Sequence, residues 1–359
     1  MRILALLPDG FGGRGGIACY NRDLVTALSC HPRVSEIVIL QRVSLEVPRA
    51  VPAKVKLVRE SEVGKVGFFL ALMRTLSANR NFDVVLCGHL NLLAFSSLAK
   101  RWTGGELWVE LYGLEAWGPR GRVSSDSMLR NVDRWVSISH ITAERFSRWS
   151  GISRSKVRIL PNAVHLEHYS AGPKDAVSLQ KHDLTNQKVI MTMGRLVGRD
   201  RYKGFDEVLE CLPRLRDAEP DIRYLIVGDG HDRNRLEQKA KALGVENHVV
   251  FTGYIADEDK SRYFSLADTY VMPSYGEGFG FVVLEALACG VPVVASRADG
   301  TSEALAQGRF GELVSPRDQP SLELAILKAL RKPKAVPEGL EEFSFERFVQ
   351  RAHQIVDAS

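Results

Sequence analysis

Two glutamates eight places apart, Glu277 and Glu285, combine residue type and spacing suited to chemistry. Glu277 lies in Tyr275-Gly276-Glu277-Gly278-Phe279-Gly280, a loop whose three glycines let backbone amides approach a ligand closely. Glu285 lies within Phe281-Val282-Val283-Leu284-Glu285-Ala286-Leu287-Ala288, a stretch apolar nearly all round and therefore expected as a buried helix. Carboxylates are almost never fully buried unless paired or liganded. Free amides at a helix N-terminus suit a polar or anionic ligand, and a carboxylate accepts from two adjacent hydroxyls at once. The expected chemistry is polyol binding, with a sugar ring on Glu277 and a ribose on Glu285. A plainer reading stands beside it: Glu277 complements the helix dipole and Glu285 pairs with an internal cation.

Two further constellations could handle phosphate. A strand at residues 2–7, the glycine-rich loop 10–16 and a helix at 17–28 form a phosphate-binding arrangement. Gly10, Gly12 and Gly15 satisfy G-x-G-x-x-G literally, but the second strand, 37–40, ends in Gln41-Arg42 without the acid that dinucleotide recognition requires. In the second half, a strand at 189–193 runs into Gly194-Arg195, and Lys203 follows eight places after the arginine. Arg supplies a planar fork and Lys a compact charge, which together can clamp a diphosphate; alone, such a pair also fits a solvated surface. Strands expected at 83–89 and 106–117 put His89, Tyr112 and Glu115 at carboxyl ends, where a parallel sheet opens its ligand crevice. A lone histidine there also serves as a structural hydrogen-bonding residue.

The elements that must position these residues alternate strand and helix through both halves, implying doubly wound α/β architecture. The expected divisions are 1–168, 169–340 and a last helix within 341–359 that crosses back to the first domain, with 171–187 as a polar linker. Hydrophobic content of 45% and charged content of 25% are those of a globular chain. No run approaches ~18 apolar residues, and residues 3–7 are too short for a signal peptide. Five scattered cysteines read as reduced core residues, so a cytoplasmic location is expected, at the inner face of the membrane if the basic half binds it.

That half is distinct. Residues 1–170 hold 23 Lys and Arg against 14 Asp and Glu, whereas the whole chain nets only +5. Such a balance points to an anionic partner or to a solvated basic face with none; of the anionic partners, a membrane surface or a diphosphate lipid is expected and nucleic acid is not. The helical pattern at 64–79 carries Val66, Phe69, Leu70, Met73 and Leu76 with Lys65 and Arg74, and Lys100-Arg101-Trp102 follows; this suits either a membrane or an ordinary core with snorkelling cations. Asp257-Glu258-Asp259 reads as acid at a helix N-terminus, and no His or Cys cluster offers metal-ligand spacing, so no metal is expected.

Residues 273–295 resemble the E-x7-E motif of the family 4 glycosyltransferases, including Pro273-Ser274 before it and Gly290-Val291-Pro292-Val293-Val294-Ala295 after it. The resemblance implies two Rossmann-like domains facing a cleft, the GT-B type. It implies that Glu277 binds the transferred sugar and Glu285 the ribose. Gly278, Phe279 and Gly280 line the donor, and main chain near Tyr254 and Ile255 holds the base. Gly194, Arg195 and Lys203 would meet the leaving diphosphate, and the Gly15-Gly16 pair would lie beneath donor and acceptor. The catalytic residues would be Arg195, Lys203 and Glu277. The implied reaction is retaining, metal-independent transfer of a hexose, mannose or similar, from GDP-mannose or a UDP-sugar. The implied acceptor is a glycan or lipid-linked glycan in cell-surface polysaccharide synthesis. No cofactor is implied beyond the nucleotide-sugar co-substrate.

One departure concerns Tyr112-Gly113, where many members of that family carry a histidine. A phenol can donate a hydrogen bond but cannot cycle a proton near neutral pH. Gly113-Leu114-Glu115-Ala116-Trp117 nevertheless resembles the family's G-(I/L)-E-x-W variant. Two alternatives stay open: a non-catalytic nucleotide-sugar-binding subunit, for which Tyr112 is the clue, and an NAD(P)-dependent oxidoreductase using the Gly10–Gly15 loop.

Overall fold

The structure, a computed structural model, describes residues 1–13, 15–44, 50–62, 64–119 and 126–358. The chain divides into two compact units, residues 1–163 with 345–359, and residues 164–344.

The first unit runs β1 (Arg2–Leu7), α1 (Gly16–Cys30), β2 (Glu36–Gln41), β3 (Val55–Leu57), α2 (Gly64–Ala78), β4 (Val84–Cys87) and α3 (Leu93–Thr103). It continues with β5 (Glu106–Leu111), α4 (Asp126–Arg130), β6 (Arg134–Ser137), α5 (His140–Ser150) and β7 (Val157–Ile159). The second holds α6 (Ala176–Lys181), β8 (Lys188–Met193), α7 (Phe205–Ala218), β9 (Ile222–Val227), α8 (Arg233–Ala242), β10 (Val249–Phe251) and α9 (Lys260–Leu266). It ends with β11 (Thr269–Met272), α10 (Phe281–Ala288), β12 (Val293–Ser296), α11 (Thr301–Ala304), β13 (Glu312–Val314) and α12 (Gln319–Ala329); the chain then returns to the first unit as α13 (Phe345–Asp357).

Both sheets are parallel, ordered β3-β2-β1-β4-β5-β6-β7 and β10-β9-β8-β11-β12-β13. Their strands read as continuous apolar runs because both faces are covered: Ile3 to Leu7 are fully buried, as are Tyr224 to Val227. Trp135 and Phe146 pack with ring centroids 4.5 Å apart in the first core, while Phe205, Leu236 and Val271 share the second. The order reverses beside β1 in one sheet and beside β8 in the other. Ligands bind at such switch points, outside the carboxyl ends of the strands. The loops after β1 and β4 meet there in the first unit, and the loops after β8 and β11 in the second.

Local chemistry sets the helix ends. Ser139 accepts the amide of Thr142 at 3.2 Å to start α5, which stops at left-handed Gly151. The α13 helix lies on α1 through Phe348, edge-on to Tyr20 at 5.6 Å, and through Asp357, 3.1 Å from His31. Two elements differ from expectation. The strand expected over 106–117 ends at Leu111, because Glu115 folds back and accepts the amides of Tyr112 and Gly113 at 2.6 and 3.1 Å, closing a turn. The polar segment 171–187 contains α6, which starts where Asp175 accepts the amide of Ser178 at 2.8 Å.

Candidate active site

In the second unit, β8 delivers Gly194-Arg195 and β11 delivers the loop from Pro273 to Gly280. Lys203 donates to Glu277 Oε2 at 2.7 Å, the two side chains being 13% and 20% exposed. Burial pushes the Lys203 ammonium down, but the Glu277 carboxylate outweighs it and holds the charged form above its ordinary range. A Cβ on Gly194 would come within 2.9 Å of the Lys203 stem, so a larger residue there would make the lysine shift. Arg195 is 61% exposed and its guanidinium lies 2.9 Å from Asp200, a buried carboxylate. Two cations therefore stand beside the end of β8, each steadied by one carboxylate.

The glutamate loop is locked from behind by Asp299, which is fully buried. Its Oδ2 accepts Ser274 Oγ at 2.7 Å and the Glu277 amide at 2.9 Å. Its Oδ1 accepts Thr301 Oγ1 at 2.7 Å and the Thr301 amide at 3.1 Å. Gly300 completes the clasp by donating to the Glu277 carbonyl at 2.9 Å, and a Cβ there would strike the Gly278 carbonyl at 1.9 Å. Burial pushes the Asp299 carboxyl up to about 6, while its hydrogen bonds from Ser274, Glu277 and Thr301 pull the other way. Gly278, Phe279 and Gly280 are buried; Phe279 packs edge-on to Phe343 at 5.6 Å, and Gly280, at φ 104°, turns the chain into α10 in a conformation that suits glycine.

Glu285 projects from α10, where most neighbouring residues are apolar and buried, and is itself 8% exposed. Lys260 donates to its Oε1 at 3.1 Å. Its other oxygen, Oε2, is buried with no hydrogen bond of ordinary length and angle. The phenol of Tyr169 is pushed well above its usual range, by burial first and then by the Glu285 carboxylate, toward which it also directs a weak hydrogen bond. The internal cation of the plainer reading is thus Lys260, and it answers one oxygen of two. A buried carboxylate oxygen without a full-strength bond keeps capacity for a ligand hydroxyl. Beyond β10, Tyr254 is 61% exposed and Ile255 half-buried, with Gly253 tied to β9 through a 3.1 Å bond from the Gly228 amide.

In the first unit, Gly15 and Gly16 are exposed at the start of α1, and the space a Gly15 Cβ would occupy is open. The loop is braced from below. Tyr112 is buried, and its hydroxyl donates to Asn21 Oδ1 at 2.7 Å; Asn21 Nδ2 donates to the Asp9 carbonyl, also at 2.7 Å. His89 sits half-buried after β4, accepting the Asn91 amide on Nδ1 at 3.0 Å, its ring centre 6.2 Å from that of Tyr112. Burial holds His89 below its ordinary range. Glu115 spends one oxygen on the turn described above. Gln41, where a dinucleotide site would carry its acid, is buried and donates to the Phe11 carbonyl at 2.8 Å and to Glu62 at 2.9 Å. It thereby holds the glycine loop and offers a ribose no carboxylate.

Sequence reasoning missed Asp200, Asn21 and Lys260, and the hold that Asp299 has on the Glu277 loop. It also missed Glu110, a fully buried carboxyl on β5 that burial pushes well up and that lies 3.4 Å from the Tyr20 hydroxyl. An isolated acid inside an apolar strand was the available signal.

Residues 176–343 match the family model described as glycosyl transferases group 1, and residues 15–168 match that of Glycosyltransferase Family 4. The chain is 31% identical over 274 residues to a GDP-mannose-dependent alpha-(1-6)-phosphatidylinositol monomannoside mannosyltransferase of Mycolicibacterium smegmatis, covering 73% of this chain and 71% of that one. It is 32% identical over 152 residues to the mannosylfructose-phosphate synthase of Agrobacterium fabrum, covering 40% and 33%. In fold it is similar to Anabaena HepE crystallised with UDP, at a TM-score of 0.77 and 19% identity with both chains wholly covered. It is also similar to the lipopolysaccharide outer core galactosyltransferase WaaB, at 0.75 and 17%, covering 100% and 99%. The chain is a glycosyltransferase of the GT-B fold and belongs to family 4.

Proposed function

We propose that this enzyme transfers a hexose, mannose in the first instance, from a nucleoside diphosphate sugar to a glycan or lipid-linked acceptor, with retention of anomeric configuration and without a metal ion. The observation that carries the reading is the pairing of Arg195 and Lys203 at the end of β8 with the clasped Glu277 loop. The bond between the sugar C1 and the diphosphate oxygen breaks, and negative charge develops on the leaving diphosphate. Arg195 and Lys203 supply fixed positive charge for it, so the barrier falls through preorganised electrostatics. The acceptor oxygen bonds to C1 and its proton passes to the departing phosphate oxygen. Glu277 holds sugar hydroxyls, and Glu285 Oε2 accepts from a ribose hydroxyl. In the first unit, the acceptor is held by the Gly15 and Gly16 amides, His89 and the Tyr112–Glu115 turn.

The mannosyl donor is supported by the mannosyl transfer named for the Mycolicibacterium and Agrobacterium relatives; the UDP in the HepE structure keeps a UDP-sugar as the second donor to try. The phosphatidylinositol mannoside of the former relative supports a lipid-linked acceptor. Among the described residues no helix is long and apolar enough to cross a membrane. The α2 helix exposes Val66, Phe69 and Leu70 beside exposed Lys65 and Arg74, which supports seating on an anionic membrane at its cytoplasmic face. A transfer assay with GDP-mannose and UDP-glucose, with and without EDTA and with the product anomer read by NMR, tests the proposal. Transfer in EDTA with the donor's anomeric configuration is expected; an inverted product or a requirement for added divalent metal would overturn the corresponding part.

A further inference from the structure

Immediately after the unit boundary, the segment His165-Leu166-Glu167-His168 makes one tight turn, with a 3-10 helix over Leu166–His168. Three metal-ligating side chains project together from it. His165 Nδ1 lies 3.2 Å from Glu167 Oε1, and His168 Nε2 lies 4.0 Å from the same oxygen. The two imidazoles stack, with centroids 5.4 Å apart and planes at 21°. All three donor atoms fall within 4.8 Å of one another, and no other trio of His, Cys, Asp or Glu donors converges in this way among the described residues.

We infer that His165, Glu167 and His168 form a surface site for a borderline divalent transition metal, of the zinc, nickel or copper class. Two imidazole nitrogens and one carboxylate oxygen are the donor set that such ions prefer, whereas magnesium and calcium seek oxygen alone. Donors about 2.1 Å from a tetrahedral zinc lie about 3.4 Å apart. The His165–Glu167 distance already fits. The His168 distance needs to close by a fraction of an ångström, and that side chain is 68% exposed and held by no packed core. Glu167 is 60% exposed, so the ion's remaining positions face solvent and take water or an added ligand. The cluster uses none of the residues assigned to the donor. An ion bound there is separate from the leaving-group chemistry and leaves its proposed metal independence intact.

Isothermal titration of the full chain with zinc chloride, repeated with cobalt chloride and its visible spectrum, tests the site. Wild type is expected to bind one more zinc than the His165→Ala/His168→Ala variant, with a dissociation constant of micromolar order. Binding is expected to weaken at least about tenfold between pH 7.5 and 5.5, as protons compete for the imidazoles. Glu167→Gln, which keeps both rings, is expected to bind about tenfold more weakly. Both variants change exposed side chains, and circular dichroism checks that they fold. Equal zinc stoichiometry in wild type and the double variant, or no binding by wild type up to millimolar zinc, would overturn the site.

Discussion

The two units carry the same device, a glycine loop feeding a helix N-terminus at a sheet switch point, and stiffen it in different ways. In the second unit the loop before α10 is fastened by charge: a buried aspartate takes four hydrogen bonds, and Lys203 is locked to Glu277. In the first unit the loop before α1 is held without a buried carboxylate: Tyr112 reaches Asn21 and Asn21 the Asp9 carbonyl, the Arg22 guanidinium donates to the Gly13 carbonyl at 2.8 Å, and the space beside Gly15 is open. Charge fixed in advance suits the half that must meet a developing diphosphate, since preorganised charge stabilises a transition state without rearrangement. Bonds to backbone carbonyls, from Arg22 and Asn21, suit a loop that only has to present amides. In the first unit the buried Tyr112 is part of that bracing.

The comparison breaks most visibly at the two cations. Arg195→Ala and Lys203→Ala are each expected to lose roughly two to three orders of magnitude in turnover, measured by product formation at saturating donor. Lys203→Ala also strands Glu277, and Arg195→Ala leaves buried Asp200 without its close cation, so the unfolding midpoint of each should drop. Near-normal turnover in either variant removes that residue from leaving-group stabilisation.

Asp299 gives the next effect, and it has a sign. Its carboxyl sits near 6 in the folded chain, above the ordinary value of about 3.9. A group whose folded value is raised costs the folded state as it ionises. Its contribution to stability therefore falls as pH rises from about 4 to 6 and is level above that, by roughly 3 kcal/mol at most. Asp299→Asn has no such slope. Denaturant unfolding of both proteins across that window should show wild type losing ground to the variant, whereas Tyr112→Phe should track wild type in parallel. A constant gap between wild type and Asp299→Asn would show that the buried carboxyl does not titrate there.

The smallest effect belongs to Tyr112. Removing its hydroxyl deletes one neutral hydrogen bond, for about 1 kcal/mol of stability and less than a tenfold change in turnover. A loss in Tyr112→Phe as large as that in Lys203→Ala would erase the contrast between the units and give the phenol a part in the reaction.

Much of this was legible in the residues because the signals are local. Apolar runs at 2–7 and 189–193 became central strands, and the all-round apolar stretch 281–288 became a buried helix with Glu285 inside it. The E-x7-E spacing and the Arg…Lys pair mark the ends of β11 and β8, which adjoin in one sheet. What was not legible depends on partners far apart in sequence. Asp299 reads as a cap for α11 until the fold brings Ser274 and Glu277 against it, and nothing near Lys260 announces Glu285, 25 places on. The strand expected to run through Tyr112 stopped early because a side chain three residues later took its amide, a competition that alternation of apolar residues does not reveal. The turn at 165–168 escaped notice because its histidines are three apart on a 3-10 turn and lack the flanking cysteines that usually flag a metal site.

The most direct test of the account is nucleotide binding to wild type and Glu285→Ala, read by thermal shift with GDP, UDP, ADP and NAD. At ~100 times its dissociation constant a ligand stabilises by roughly 2.7 kcal/mol. The account predicts a rise with one nucleoside diphosphate, absent with NAD and lost in Glu285→Ala, because the ribose needs that carboxylate. An undiminished shift in Glu285→Ala, or a rise with NAD alone, would contradict the placement of the donor at the switch point of the second unit.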